Sequence, residues 1–310
     1  MKFLLHTLLV CFCLLTTFIY SSDEIKDIYP SLDLNFPTIL PKNFRMPTDP
    51  FKEKADRLPT RMGLENLRAS ASGQFLNTSL VLMLNKLPQD KKVIVIDLRE
   101  ESHGYVNSWP IAWRLENSTW TNMGRTLEQI EQDESLRLAK IKQDKKVILD
   151  PYSKSMELNI WSATTEKELL KNFNLDYLRL PITENHAPTP ACVDQIVELI
   201  RTLPADKWLH IHCHGGRGRT TTFLVMYDIM LNGHKVSLED IMLRQKLLGG
   251  SDILKEPVYH DYRHVPLEAR LLFLKKFYEY ATKNDLSKVK YSTWLKNQNS
   301  QQVSQRLSEA

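Results

Sequence analysis

Cysteine is scarce in this sequence, and its scarcity excludes a fold held together by disulfide bonds. The chain has four cysteines in 310 residues, and two of them, Cys11 and Cys13, lie in the apolar N-terminal segment. Beyond that segment only Cys192 and Cys213 remain, too few for a disulfide framework. We expect Cys192, early in a predicted helix, to be a small buried apolar side chain. A reversible disulfide between Cys192 and Cys213 is the open alternative.

The sequence also lacks an excess of charge of either sign. It has 41 basic and 37 acidic residues, a formal net charge of +4. Such a balance gives no bulk attraction to nucleic acid, so nucleic acid is not an expected partner. Any preference for anions must therefore come from a local site.

Long apolar runs are missing everywhere except at the N-terminus. After Lys2, residues 3–20 form one apolar stretch, followed by small and polar residues. This pattern predicts a cleaved signal peptide over residues 1–22 and export to the periplasm or the medium, with no stable membrane span once the signal is removed. An uncleaved membrane anchor is the alternative.

Glycine is used sparingly, yet three of the ten glycines fall in one nonapeptide, residues 212–220. The short apolar run 208–211 before it predicts a buried strand, and the longer apolar run 221–230 after it predicts a buried helix. The nonapeptide is therefore a strand-to-helix turn. Gly215, Gly216 and Gly218 allow its backbone N–H groups to converge on one point at a helix N-terminus, which is an anion site.

The side chains of this turn favour covalent phosphate chemistry. Cys213 would be a thiolate nucleophile, held by the N–H groups and by the Thr220 hydroxyl, and it would form a phosphocysteine. Arg219 offers a planar fork of donors that matches two phosphate oxygens. His214 and Arg217 add two basic side chains, which favour a substrate with several phosphates unless they point into solvent. The alternative is a structural cysteine in an ordinary glycine-rich turn.

The turn resembles the signature loop of the protein tyrosine phosphatase superfamily. Within that superfamily the chain resembles the bacterial cysteine phytases, which are phosphatase-like myo-inositol polyphosphatases. The resemblance is carried by segments spread over most of the chain: 40–46, 68–75, 97–104, 212–220, 244–245 and 294–295. It implies an α/β fold, with a protein tyrosine phosphatase-like central sheet wrapped by helices and a small β-rich inserted subdomain.

The chain divides by pattern as follows. Residues 23–104 form an N-terminal segment and the first part of the phosphatase domain, including a buried parallel strand at 92–97. Residues 105–163 are the predicted insertion, with a core of Trp109, Trp113 and Trp120. Residues 164–295 contain the rest of the phosphatase core and end in a helix with an apolar stripe from Leu267 to Ala281. The polar residues 296–310 are predicted to be disordered.

A loop at residues 183–188 follows a predicted strand, and by resemblance it carries the general acid for the departing alkoxide. Glu184 stands where the family has an aspartate, and Asn185 replaces the histidine that follows it. Glutamate can perform the same proton transfer, so we expect Glu184 to be the acid and then the base that activates water. His186 is the alternative donor and a candidate substrate ligand.

Further site residues are expected from the resemblance alone. Arg45 and Lys255 would bind phosphate groups of the substrate, and a helix carrying Arg244 would lie near the pocket. Arg68 is either a pocket residue or a surface arginine. We expect hydrolysis of a myo-inositol polyphosphate such as phytate, without a metal or other cofactor, and leave a homodimer open. The rival interpretations are a secreted protein tyrosine or dual-specificity phosphatase and a catalytically weak phosphate-binding pseudophosphatase.

Overall fold

The computed structural model describes residues 28–33, 40–52, 54–150, 155–255, 261 and 263–309 of the chain. The predicted signal peptide, residues 1–22, lies outside this part. Among the described helices, none combines the length and the apolar character needed to cross a membrane.

Strands and helices alternate along most of the chain. The strands are β1 (Tyr29–Leu32), β2 (Ala69–Ser72), β3 (Lys92–Arg99), β4 (His103–Val106), β5 (Trp109–Arg114), β6 (Lys146–Leu149), β7 (Met156–Asn159), β8 (Ala163–Thr164), β9 (Asp176–Ile182) and β10 (Lys207–His212). The helices are α1 (Asn77–Leu84), α2 (Leu127–Asp144), α3 (Glu166–Asn172), α4 (Pro190–Arg201), α5 (Gly218–Asn232), α6 (Leu238–Leu247), α7 (His264–Lys283) and α8 (Tyr291–Glu309), with a short 3₁₀ helix at Leu64–Asn66.

The central sheet has four strands in the order β2-β10-β3-β9, and all three pairings are parallel. In this register Ile96 of β3 lies between Ile211 of β10 and Leu178 of β9. Ile96 packs on the face covered by α4 and α5, whereas Val95 packs on the opposite face with side chains of α1 and α3. The predicted α/β class and the buried strand at 92–97 are confirmed. The sheet brings the carboxyl ends of β3, β9 and β10 to one edge, where ligands bind in open α/β sheets.

A second sheet is antiparallel, with the order β1-β5-β4-β8. Strand β5 and parts of β4 and β8 fall within the predicted insertion 105–163, but the edge strand β1 comes from the N-terminal segment. The expected tryptophan core is wrong in part. Trp113 is buried, whereas Trp109 is 38% exposed at the end of a hairpin and Trp120 contacts the loop that carries His186.

The C-terminal helices pack on the α4/α5 side of the sheet. In α7 the buried apolar side chains are Phe273, Leu274, Phe277, Tyr280 and Ala281, so the buried stripe differs from the predicted one. Helix α8 begins with Tyr291 and Trp294, whose rings pack against Tyr280. The helix then continues through the polar residues to Glu309, so the structure has a helix over 296–309, where the sequence predicted disorder. A helix that is already nucleated by an anchored first turn adds residues at little cost.

Candidate active site

The glycine-rich turn joins β10 to α5, as predicted. Cys213 follows the last residue of β10 and is only 3% exposed. Thr220 lies in the first turn of α5, and its hydroxyl donates a hydrogen bond to the Cys213 Sγ at 3.1 Å. The sulfur therefore sits at a helix N-terminus with one hydroxyl donor already in place, an arrangement that stabilises a thiolate.

One of the three glycines is required by the close approach of neighbouring backbone, and a second lies against a side chain. Gly216 has a φ of +67°, and a Cβ at this position would lie 2.2 Å from the backbone nitrogen of Gly73. A Cβ on Gly218 would lie 2.7 Å from Nη1 of Arg270. Gly215 differs, because a Cβ there would meet no atom within 4 Å. The turn is thus packed tightly against residue 73 on one side and against α7 on the other.

Arg45 lies behind the turn, not in the pocket, which corrects the expectation that it binds substrate. Its side chain is 1% exposed and donates hydrogen bonds to the Gly216 carbonyl at 2.7 Å and to the Thr221 Oγ1 at 3.2 Å. Beside it, the Asn43 side chain donates to the Gly215 carbonyl at 2.7 Å. These bonds hold two carbonyls on the rear of the turn. Burial lowers the pKa of Arg45 to about 10, so the guanidinium stays charged at neutral pH.

Arg219 is fixed by a carboxylate that the sequence analysis did not assign to the site. Its Nη1 and Nη2 donate to the two oxygens of Glu101, at 2.6 and 2.9 Å, and Nη1 also donates to the Ile182 carbonyl at 3.1 Å. Burial alone would lower the pKa of Arg219, but the Glu101 carboxylate more than offsets this effect and raises it above the ordinary value. Three of the five N–H donors of a guanidinium are thereby engaged. The other two, on Nε and Nη2, lie along one edge and form a fork.

A chain of buried ion pairs continues from Glu101 to the pocket. Arg99 contacts Glu101 at 2.9 Å through Nε and Asp33 at 2.7 Å through Nη1. Asp33 lies 3.5 Å from Nε2 of His214. These contacts indicate that Arg99 braces the carboxylates of Glu101 and Asp33.

The loop after β9 carries the predicted acid. Residues 183–186 form a turn closed by the His186 amide, which donates to the Thr183 carbonyl at 3.1 Å. Asn185 is the third residue of this turn and has a φ of +67°. Asparagine tolerates such a conformation better than most residues and therefore suits this position of the turn. Glu184 lines the pocket, and its Oε2 accepts a hydrogen bond from the Thr119 hydroxyl at 2.8 Å.

His186 is not among the residues that line the pocket, so the structure does not support its expected role as a substrate ligand. Its Nδ1 lies 2.9 Å from the Glu184 carbonyl oxygen, and its ring packs edge-on against Trp120 with the centroids 4.7 Å apart. These contacts indicate that His186 supports the loop.

Cys213 and Glu184 share a cavity of about 720 Å³. Basic side chains dominate its charged lining, since among the lining residues that the structure describes only Glu184 and Asp252 are acidic. The basic residues are His214, Arg217, Arg219, Lys255, Arg263 and Arg270. His214, Arg217 and Lys255 therefore line the same cavity as Cys213. An apolar wall of Ile253, Leu267 and Leu271 completes the cavity.

Sequence reasoning missed Arg263 and Arg270. They lie just before and within α7, which was interpreted only as a core helix. An arginine on the buried side of an otherwise apolar helix was the available signal, because such a charge is seldom buried without a partner or a function. Arg244 and Arg68 lie elsewhere. Arg244 pairs with the buried Asp228, and Arg68 donates to the Leu203 carbonyl at 3.0 Å.

Cys192 and Cys213 are both buried and both free, so no disulfide joins them in the structure. Cys192 packs in α4 as part of the main apolar core. Burial raises the pKa of the Cys192 thiol to about 12. It is thus the small buried apolar side chain that the sequence predicted.

Comparison with known proteins gives a consistent result. A family model for PTP-like phytases, whose description names inositol hexakisphosphate, matches residues 96–231. The PTP-like myo-inositol phosphatase from Mitsuokella multacida, solved in complex with myo-inositol-(1,3,4,5)-tetrakisphosphate, is 33% identical, with a TM-score of 0.81 over 88% of this chain and 48% of that chain. A PTP-like phytase from Bdellovibrio bacteriovorus is 28% identical, with a TM-score of 0.69 over 86% of this chain and 94% of that chain.

The chain is also similar to a protein that is named as an effector and not as a phytase. Effector protein hopD2 of Pseudomonas syringae pv. tomato is 30% identical over 266 residues, which is 79% of this chain and 55% of that protein. The chain thus spans about half the length of hopD2 and about half the length of the Mitsuokella protein.

Proposed function

We propose that the chain, which is similar to the PTP-like phytases, is a cysteine-dependent phosphatase that removes phosphate groups from myo-inositol polyphosphates such as phytate. One observation carries the proposal: a single cavity holds Cys213 and Glu184 and has six basic side chains in its lining. A nucleophile, an acid and several cations are the parts that hydrolysis of a polyphosphorylated alcohol requires.

In the first step the Cys213 thiolate attacks phosphorus. A bond forms between Sγ and phosphorus as the bond from phosphorus to the inositol oxygen breaks, and the departing oxygen takes a proton from Glu184. The backbone N–H groups of the turn and the free edge of Arg219 stabilise the equatorial oxygens as their charge rises. Glu101 keeps Arg219 in the orientation that presents this edge.

In the second step water hydrolyses the phosphocysteine. Glu184, now a carboxylate, accepts a proton from the water. The water oxygen bonds to phosphorus as the bond between phosphorus and sulfur breaks. The hydrogen bond from Thr220 to Sγ, 3.1 Å long in the free protein, stabilises the thiolate that leaves. Glu184 recovers its proton and the cycle closes without a metal ion.

The cations support a substrate with several phosphates. One phosphate occupies the turn, and Lys255, Arg263 and Arg270 line the same cavity from the segment before α7 and from α7 itself. Each would pair with a further phosphate on the inositol ring by charge-assisted hydrogen bonds. His214 and Arg217 extend the positive surface on the turn itself.

The proposal includes export from the cell. It is supported by the signal-like residues 1–22 and by similarity to a protein named as an effector. Whether the destination is the periplasm or the medium would be decided by fractionating cells that produce the full-length chain.

The proposed function is tested by phosphate release from phytate by the purified chain, beside Cys213→Ser and Glu184→Gln. We expect turnover by the wild type, no turnover by Cys213→Ser, and a loss of about 10²–10⁴-fold for Glu184→Gln, the usual contribution of a general acid. A phosphotyrosine peptide serves as the competing substrate. Faster turnover of the peptide than of phytate would contradict the inositol polyphosphate assignment, and no turnover of either would indicate a pseudophosphatase.

A further inference from the structure

A segment outside the signature loop contacts the acid loop directly. Residues 115–122, between β5 and α2, are called here the strap. Within it, the Thr119 hydroxyl donates to Oε2 of Glu184 at 2.8 Å. The next residue, Trp120, packs edge-on against the ring of His186 at a centroid distance of 4.7 Å. Two consecutive strap residues therefore contact Glu184 and His186, on either side of Asn185.

The strap is itself anchored to residues 100–102, whose middle residue Glu101 binds Arg219. Asn122 is 1% exposed, and its Nδ2 donates to the Glu100 carbonyl at 3.1 Å and to the Ser102 hydroxyl at 2.9 Å. These two residues flank Glu101, whose carboxylate grips Arg219. The strap contacts the acid loop at one point and residues 100–102 at another. Both the acid loop and Arg219 are thus connected to residues 100–102.

We propose that Thr119 is a positioning residue for the general acid, and that its hydrogen bond to Oε2 leaves Oε1 of Glu184 to carry the proton delivered to the leaving group. This inference rests on the proposed role of Glu184. A protonated carboxyl has one acceptor oxygen and one hydroxyl oxygen. Since Thr119 donates to Oε2, that oxygen is the acceptor and the proton belongs on Oε1.

The length of the side chain explains why a restraint is needed. Glutamate has one more rotatable bond than the aspartate expected at this position, so its carboxyl group can occupy more orientations. Fixing such a side chain has an entropic cost at every turnover unless the folded protein has already restricted it. The Thr119 hydroxyl supplies the restriction from outside the acid loop.

The test compares substrates that differ in their need for an acid. Thr119→Val keeps the shape of the side chain but removes the donor. We expect kcat on phytate to fall about tenfold, a part of the ~10²–10⁴-fold contributed by a general acid. On 4-nitrophenyl phosphate, whose leaving group departs without a proton, the decrease should be several times smaller. Across a series of aryl phosphates, log kcat/KM should therefore depend more steeply on leaving-group basicity than it does for the wild type.

Two further variants act as controls. Thr119→Ser retains the donor and should restore the wild-type dependence. Thr121→Val removes a hydroxyl two residues further along the strap, one that has no hydrogen-bond partner in the described part of the chain, and should keep the wild-type dependence. Equal losses on phytate and 4-nitrophenyl phosphate for Thr119→Val would overturn the inference, as would an unchanged slope in the aryl series.

The aryl series also separates this inference from the proposed function. If the wild type fails on phytate but Thr119→Val steepens the slope, the substrate assignment is wrong and the positioning role stands. If phytate is hydrolysed and the slope is the same for both proteins, the function stands and the positioning role is wrong.

Discussion

The carboxylate of Glu101 binds the guanidinium of Arg219 through both of its oxygens, at 2.6 and 2.9 Å. Both side chains are buried, with 3% or less of the residue exposed. The pair therefore serves two purposes. The Glu101 carboxylate stabilises the buried positive charge of Arg219 while no phosphate is bound. It also fixes which edge of the guanidinium faces the cavity.

Replacement of this carboxylate should damage both stability and catalysis. In Glu101→Gln the shape is kept, but Arg219 and Arg99 lose a shared counter-charge, and breaking a buried pair costs about 3–5 kcal/mol. We expect a clear decrease in the free energy of unfolding by chemical denaturation and a fall of about 10²-fold in kcat/KM. Glu157→Gln is the control, since the Lys146–Glu157 pair is more than half exposed and such pairs contribute about 1 kcal/mol or less. Similar losses for the two variants would contradict the role of Glu101.

The glycines of the signature loop offer a matched pair of substitutions. Gly216→Ala forces an alanine into a φ of +67° and places its Cβ 2.2 Å from the Gly73 nitrogen, so the turn must move. The unfavourable dihedral alone costs about 1–3 kcal/mol. Gly215→Ala places its Cβ in open space and should change the melting temperature little. We expect Gly216→Ala to melt several degrees lower, and equal melting temperatures would show that the loop does not need this geometry.

The parts of the site that the sequence predicted are the parts encoded within a few consecutive residues. Cys213, Arg219 and Thr220 occupy one strand-to-helix turn, and Glu184 lies just after a strand that the apolar pattern revealed. Their positions relative to the parallel sheet follow from its topology, because strand ends at one edge meet. The same reasoning predicted the α/β class and the buried strand β3.

The parts that the sequence did not predict depend on contacts between distant segments. Nothing in the residues around Arg45 distinguishes a phosphate ligand from a brace behind the loop, since both roles need a guanidinium. Three such contacts join Glu101 to Arg219, Asp33 to Arg99 and Thr119 to Glu184, over 118, 66 and 65 positions of the chain. No periodic pattern in the sequence indicates pairings of this kind. Helix α7 was misjudged because its apolar residues satisfied the pattern of a core helix while Arg270 pointed into the cavity.

The buried histidine His103 makes the stability of the fold depend on pH. Burial alone would lower its pKa, but the carboxylates of Asp97 and Glu134 raise it from 6.5 to about 10. A pKa that is higher in the folded protein than in the unfolded chain favours folding fully below about 6.5, and this contribution is lost as the pH rises towards 10. We expect the free energy of unfolding to decrease steadily between pH 7 and pH 9.5.

The measurement is chemical denaturation of the wild type and of His103→Gln at several pH values in this range. The variant should be less stable at pH 6.5 because it loses the charged partner of Asp97, and its stability should vary less with pH. Parallel curves for the two proteins would show that another group causes the dependence.

The final prediction separates two basic residues that the resemblance had assigned to one role. Arg45 holds the Gly216 carbonyl and Thr221 from behind the loop, so Arg45→Lys removes the planar fork that spans both acceptors. The loop then serves every substrate less well, and kcat/KM should fall by a similar factor on phytate and on 4-nitrophenyl phosphate. Lys255 instead lines the cavity. Lys255→Met should raise KM for phytate by about tenfold, the equivalent of one charge-assisted hydrogen bond, with little change for 4-nitrophenyl phosphate.

The exposed Lys275 on the outer side of α7 provides the control for loss of positive charge, and Lys275→Met should change neither constant appreciably. For each variant, the loss on phytate is compared with the loss on 4-nitrophenyl phosphate. A residue that acts through the loop should affect both substrates equally, whereas a residue that binds a distal phosphate should affect phytate alone. If Arg45→Lys selectively impairs phytate, Arg45 contacts the substrate after all. If Lys255→Met impairs both substrates equally, the basic wall of the cavity does not bind the additional phosphates.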